Sequence, residues 1–155
     1  HYGYTDHMQA SLALSVNGVF IAIGAGSAAK FKKATSGVKV SCVGMMVLSV
    51  LEAVVLFLDL GFWAYEAVLC TLLVFMGFTL TASTTMALES ERKQAGTASA
   101  LFGAMGFVSG ALTAPIVALG NPVHSTAIAF VAGAALSCAF GYFALKQTAK
   151  SESHA

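Results

Sequence analysis

Charge is what this chain of 155 residues has least of: Asp, Glu, Lys and Arg together make up 10% of it. An average soluble domain carries about 25%, so too little polar surface is available to wrap a water-soluble fold. Histidine occurs only at the ends or in a connection (His1, His7, His124, His154), so the apolar runs cannot assemble a His/carboxylate metal centre. Metal-dependent membrane proteolysis is thereby excluded. The three cysteines, Cys42, Cys70 and Cys138, fall in three different apolar runs without a C-x-x-C spacing, which indicates neither a disulfide framework nor a metal knuckle. Neither a paired nucleophile and base nor a phosphate loop is visible, which points away from an enzyme and implies no cofactor. A net charge of +1 gives no reason to expect nucleic acid as a partner.

Apolar residues fill the space that charge leaves. They are 57% of the chain, and the mean hydropathy is +0.81, the composition of a protein whose surroundings are lipid. Five apolar stretches are long enough to cross a bilayer as helices, at about 10–29, 40–60, 62–88, 95–119 and 126–145. The expected fold is an all-α integral membrane protein of five transmembrane helices. Residues 1–9 form the end of an extracytoplasmic loop, and 146–155 form a disordered cytoplasmic tail.

The fourth stretch has the clearest pattern. Gly96, Ser99, Gly103, Gly106, Gly110 and Ala114 recur at steps of three and four, so they share one helical face, while Leu101, Met105, Val108, Leu112, Ile116 and Leu119 share the opposite one. A flat, small-residue face lets another helix approach closely, which is how helices gain packing energy in lipid. Pro115 removes the hydrogen bond to the Ala111 carbonyl and is expected to bend the helix near its end. The first stretch carries a similar stripe in Ser11, Ser15, Gly18, Ala22 and Gly26, and the fifth in Gly133, Ser137 and Gly141.

Polar residues inside the spans are few, and each needs a reason. Asn17 sits in the middle of the first span and must find a hydrogen-bond partner, either on a neighbouring helix or in a ligand. Glu52 lies nine residues before Gly61, ~14 Å of helix rise from that end, which puts it close to the expected midplane. Such a side chain costs ~2.5–3.5 kcal/mol to insert and must face protein or water. Ser49 and Asp59 share its helical face, a stripe along which a proton can be guided; the alternative is a neutral glutamate bracing two helices. Glu66 is within a turn of the interface and receives no chemistry. Thr79, Thr81, Ser83, Thr84 and Thr85 enrich the inner half of the third span in hydroxyls, which in helices usually bond back to their own carbonyls.

Alternate threading of the spans puts every basic residue on one side: Lys30, Lys32, Lys33 and Lys39 in the first loop, Arg92 and Lys93 in the second, Lys146 and Lys150 in the tail. By the positive-inside rule these segments are cytoplasmic and residue 1 is outside. The run Lys30 to Lys39 is the kind of basic loop that lies against anionic headgroups. Residues 1–9 lack a basic n-region, so an outside start leads us to expect at least one helix upstream and a six-helix unit of which this chain is the end.

The run from Met86 to Val117, MALESERKQAGTASALFGAMGFVSGALTAPIV, resembles the tenth-to-eleventh helix connection and the eleventh helix of major facilitator superfamily transporters of the Bcr/CflA drug-resistance type. The resemblance implies that the five spans are helices 8–12 of a twelve-helix fold whose N-terminal half lies elsewhere. The Lys30 to Lys39 loop then stands where the family carries a degenerate basic motif, with lysines in place of arginines. Gly106 stands where the family often has a glutamine. Also implied is proton-coupled export of drugs or small metabolites from the cell membrane by rocking of two halves around a midplane site. On this reading Asn17, Ser109 and Thr113 line the cavity and Glu52 couples protons, although the family places that span toward the outside of its bundle. The competing expectation, from a different class, is a structural or assembly subunit that packs partner helices and transports nothing.

Overall fold

The computed structural model describes residues 7–28, 30, 34–90, 94–118 and 121–152. They form five α-helices: α1 (His7–Ala28), α2 (Ala34–Phe57), α3 (Phe62–Ser90), α4 (Ala95–Ala118) and α5 (Pro122–Glu152). All five are long and apolar enough to cross a membrane. Several boundaries differ from expectation, two of them by six or seven residues. α2 begins at Ala34 and takes Lys39 into its second turn, because nothing after the Ser36–Gly37 pair breaks the helix before the apolar run starts. α5 runs on through Lys146 to Glu152, where a disordered tail was expected, since Ala144 to Lys150 are mostly strong helix formers without a breaker.

The ends explain themselves locally. α2 stops in a Schellman turn: the Asp59 N–H donates to the Leu56 carbonyl at 3.4 Å and the Leu60 N–H to the Val55 carbonyl at 3.3 Å. Asp59 holds the left-handed conformation this requires, φ 47°, and Gly61 follows at φ 89°. α5 starts at Asn121, whose Oδ1 accepts from the Val123 N–H at 3.0 Å, with Pro122 in the first helical position. α4 continues through Pro115 to Ala118.

Helices pack in the order α1, α3, α2, α5, with α4 leaning on α3 and α5. The contacts set their directions. Gly44 faces Phe75 and Gly37 faces Phe78 and Ala82, so α2 and α3 run antiparallel with residue numbers that sum to about 119 across the seam. α1 runs parallel to α3, from Asn17 beside Cys70 to Ala28 against the Phe78 and Ala82 cluster, with Gly24 and Gly77 meeting at the crossing between them. α5 is antiparallel to α2, with Cys138 beside Cys42 near one end and His124 stacked on Phe57 at 5.1 Å near the other. Val38, Phe78 and Ala82 form a core joined by Ala28, Cys42, Met86 and Leu145, so α1, α2, α3 and α5 all meet at the end where Lys30, Lys39 and Lys146 lie. Asp59 and His124 mark the opposite end.

Of the striped glycines, Gly141 packs against Cys42 and Val38 of α2, while the closest backbone approaches are made by glycines outside the stripes. A Cβ on Gly24 would overlap the Val74 carbonyl and one on Gly77 the Ile21 carbonyl, so two backbones touch reciprocally. By contrast, a Cβ on Gly96, Gly103, Gly106 or Gly110 would meet no heavy atom within 4 Å, and the same holds for Gly18, Gly26 and Gly133. The small face of α4, Ser99 and Ala114 included, is exposed; within this chain it is not a packing face. On α1 the buried side is Ala13, Asn17, Phe20, Ile21 and Gly24, turned away from the serine–glycine stripe.

Gly24→Leu or Gly77→Leu is expected to destabilise the chain by about 1–3 kcal/mol or more, because the new side chain meets backbone that cannot rotate aside. Gly103→Leu should unfold as the unmodified chain does. Denaturant unfolding in lipid bicelles measures both; the reverse order would put the packing face on α4.

Candidate functional site

α2 is flanked on both sides, by α3 and α5, and its enclosed face repeats at helical spacing through Val38, Ser41, Ser49, Glu52, Val55 and Leu56. Glu52 is the largest fully buried side chain, at 0% exposure. Among the described residues neither of its carboxyl oxygens has a hydrogen-bond partner. Ser49 does not serve it: that hydroxyl, 1% exposed, donates to the Met46 carbonyl at 3.0 Å. Asp59 leaves the expected stripe altogether, since its left-handed turn carries it off the helical face onto the surface.

The depth of Glu52 also differs from expectation. The helix ends at Phe57, and the apolar stretch Thr35–Phe57 has its middle at Met46, so Glu52 is about six residues, ~9 Å, from the centre toward the Asp59 end. It lies closer to the Asp59 end of α2 than to the middle of that apolar stretch.

What faces Glu52 comes from α3. The antiparallel register places residue 67 opposite it, and the Glu66 carboxyl is within electrostatic reach. Glu66 is half-buried and is tied to its own helix by Cys70, whose Sγ lies 3.9 Å from Glu66 Oε1. The same sulfur lies 3.7 Å from Asn17 Oδ1 across the α1–α3 seam, so its single proton is offered to one oxygen or the other. Asn17 thus finds its partner on a neighbouring helix. The result is a polar layer through three helices, Asn17, Cys70, Glu66 and Glu52, enclosed by Leu69, Leu72, Val55 and Leu56. Two carboxyl groups in so apolar a setting cannot both be charged without a cation or water.

The other expected site residues fall elsewhere. Ser109 donates to the Met105 carbonyl at 2.8 Å and Thr113 to the Ser109 carbonyl at 2.9 Å, and both are exposed on α4. Asn17, by contrast, is half-buried on the face of α1 turned to α3. Thr79, Thr81, Thr84 and Thr85 bond back to carbonyls four residues earlier, with Thr79 also 3.1 Å from Met45 Sδ. Lys30 and Lys39 are exposed, whereas Lys32 and Lys33 lie outside the described residues. No group of three His, Cys, Asp or Glu that could hold a metal occurs among the described residues.

Glu66 and Cys70 are the members that a single-helix reading passes over. A signal existed: Glu52 and Glu66 are nearly equidistant from the short 58–61 turn, so the hairpin alone brings them level. Replacing the unpartnered acid by an apolar chain of similar shape, Glu52→Met, is expected to raise unfolding stability in bicelles by about 1–3 kcal/mol. A loss of that size would instead show the carboxyl bracing α2 against α3. No family model, no curated protein and no solved structure matches the chain, and the chemistry of this layer is argued from its own residues.

Proposed function

We propose that the chain is part of a proton-coupled membrane transporter, a small-molecule exporter of the cell membrane in which Glu52 binds the coupling proton. The observation that carries this reading is the carboxyl group of Glu52, fully enclosed between helices with neither oxygen hydrogen-bonded. An acid retained there costs stability and gives no packing in return, the mark of a group kept for what it does. Neutral, it sits in the closed helix seam at a tolerable cost; ionised, it needs water or a cation. A helix movement that opens the α2–α3 seam therefore trades a proton for access, which is the coupling that alternating access requires.

Sidedness follows from the helix directions. Lys30, Lys39 and Lys146 lie at one end, which we take as cytoplasmic by the positive-inside rule, leaving Asp59, His124 and the acidic layer toward the other face. The likeness of Met86 to Val117 to the eleventh helix of Bcr/CflA-type transporters supports the same class. On that correspondence the exposed small face of α4 meets the other half of the transporter. That unpartnered face also favours a second reading, in which the chain is an assembly subunit holding partner helices.

The two separate in one experiment on the complete protein in proteoliposomes, with an imposed pH gradient, a fluorescent lipophilic cation as cargo and a pH dye inside. Glu52→Gln is expected to reduce proton-driven cargo movement by about a hundredfold, as removal of a proton-transfer group does, and to remove its pH dependence. Unchanged transport with unchanged pH dependence would rule the proton role out. Absence of transport in the unmodified protein, with partner helices co-purifying, favours the assembly subunit.

A further inference from the structure

The closed seam raises a question of access, because a fully buried acid exchanges protons only through something that reaches water. Among the described residues, the titratable groups near Glu52 on the elements packed against it are Tyr65, Glu66 and Cys70 on α3, His124 on α5 where it stacks on Phe57, and Asp59 in the turn. Asp59 and His124 are exposed and belong to the helix ends. Tyr65 precedes Glu66 and so faces a different side of α3. Cys70 is buried, with its thiol near Asn17 and Glu66. Glu66 is the carboxyl among the described residues that bridges the two environments. It lies four residues into α3, ~6 Å of rise from Phe62, is half-buried, and stands level with Glu52 by the register that pairs Gly44 with Phe75.

We propose that Glu66 is the proton relay between the Asp59-side aqueous face and Glu52, and that Cys70 and Asn17 are positioning residues that aim its carboxyl across the α2–α3 seam. This rests on Glu52 being a proton-binding group, and it adds the route. In the outward step, as the opening seam admits a water between the two carboxyls, the Glu52 O–H breaks and its proton joins that water, which gives up one of its own to form an O–H on the Glu66 carboxylate; Glu66 then passes a proton to the aqueous face. The inward step is the reverse. At no point are both groups charged, so the apolar seam holds at most one negative charge. The Cys70 thiol contributes by geometry: its contacts at 3.7 Å to Asn17 and 3.9 Å to Glu66 tie the relay to α1. A sulfur in this role is a weak donor that restrains the carboxylate without holding its charge in place, as a lysine would.

The test needs no transported substrate. The full chain in phosphatidylcholine nanodiscs is pulsed with dicyclohexylcarbodiimide, a lipid-soluble reagent that adds the O–H of a neutral carboxylic acid across a C=N bond and leaves a mass-detectable N-acylurea. Glu52 should be labelled, and the labelling should fall promptly after an alkaline jump. In Glu66→Gln the labelling should persist, and its fall should be slowed about a hundredfold or more, the range for loss of a positioned proton-transfer group. Azide, whose small acid form permeates and carries protons, should restore the rate in that variant. A response in Glu66→Gln as fast as in the unmodified chain, or a slow one that azide leaves unchanged, overturns the relay. Failure of Glu52 to be labelled at any pH overturns the proton-binding reading of Glu52 itself, an outcome distinct from loss of the relay alone.

Discussion

Two peptide backbones in contact, Gly24 on Val74 and Gly77 on Ile21, fix the arrangement on which everything else depends. In water a helix pair is held by expelling solvent from apolar side chains, but lipid tails are as apolar as leucine and supply no such force. What remains is dispersion at short range and Cα–H···O contacts worth ~0.5–1 kcal/mol each, both of which need the chains to come closer than any side chain permits. Two reciprocal glycines satisfy that condition at one point and lock α1 parallel to α3. Because α3 is then fixed on one flank, α2 folds back on its other flank through the four-residue turn, and α5 closes over α2.

The same scarcity of force explains why the acidic layer is conspicuous. In a core with little stabilisation to spare, an enclosed carboxyl with no partner is a standing cost. Its neighbour one turn back does not relieve it: Ser49 spends its hydroxyl on the Met46 carbonyl. The polar groups that do connect, Asn17, Cys70 and Glu66, form a line across α1 and α3 that stops at the seam with α2. The layer is thus connected on the α1–α3 side and open toward α2.

Composition and periodicity were enough to read five helices, their connections and the clustering of lysines, because each depends on a local property of the chain: length of apolar run, turn residues, charge. Asn17 and Glu52 also stood out, since a polar group in hydrocarbon is anomalous wherever it points. Packing faces were not legible. Steps of three and four among small residues identify a face but not its occupant, and Gly103 and Gly110 look the same in sequence whether they meet a helix or lipid. Gly24 and Gly77 lack a conspicuous stripe of their own, yet they make the contact, because closeness is a property of two helices and not of one. Depth was misjudged for a related reason. Counting Glu52 from Gly61 included the turn, and the left-handed Asp59 ends the helix at Phe57. The pairing of Cys42 with Cys138, separated by 96 residues, is likewise visible only once α5 lies along α2.

α5 has one more consequence. Its 31 residues amount to ~46 Å of helix, against a hydrocarbon thickness of ~30 Å. It packs on α2 through Cys42, Gly141 and the core that Leu145 joins, and its apolar stretch ends at Gln147, so the end of the helix extends past both. An arm hinged at a fixed grip amplifies tilt: a small lean of α5 against α2 moves Lys146 and the residues after it along the headgroup plane by more than it moves anything inside the bilayer. The end that carries the lysines is therefore mechanically the most sensitive indicator of what happens at the seam of the acid.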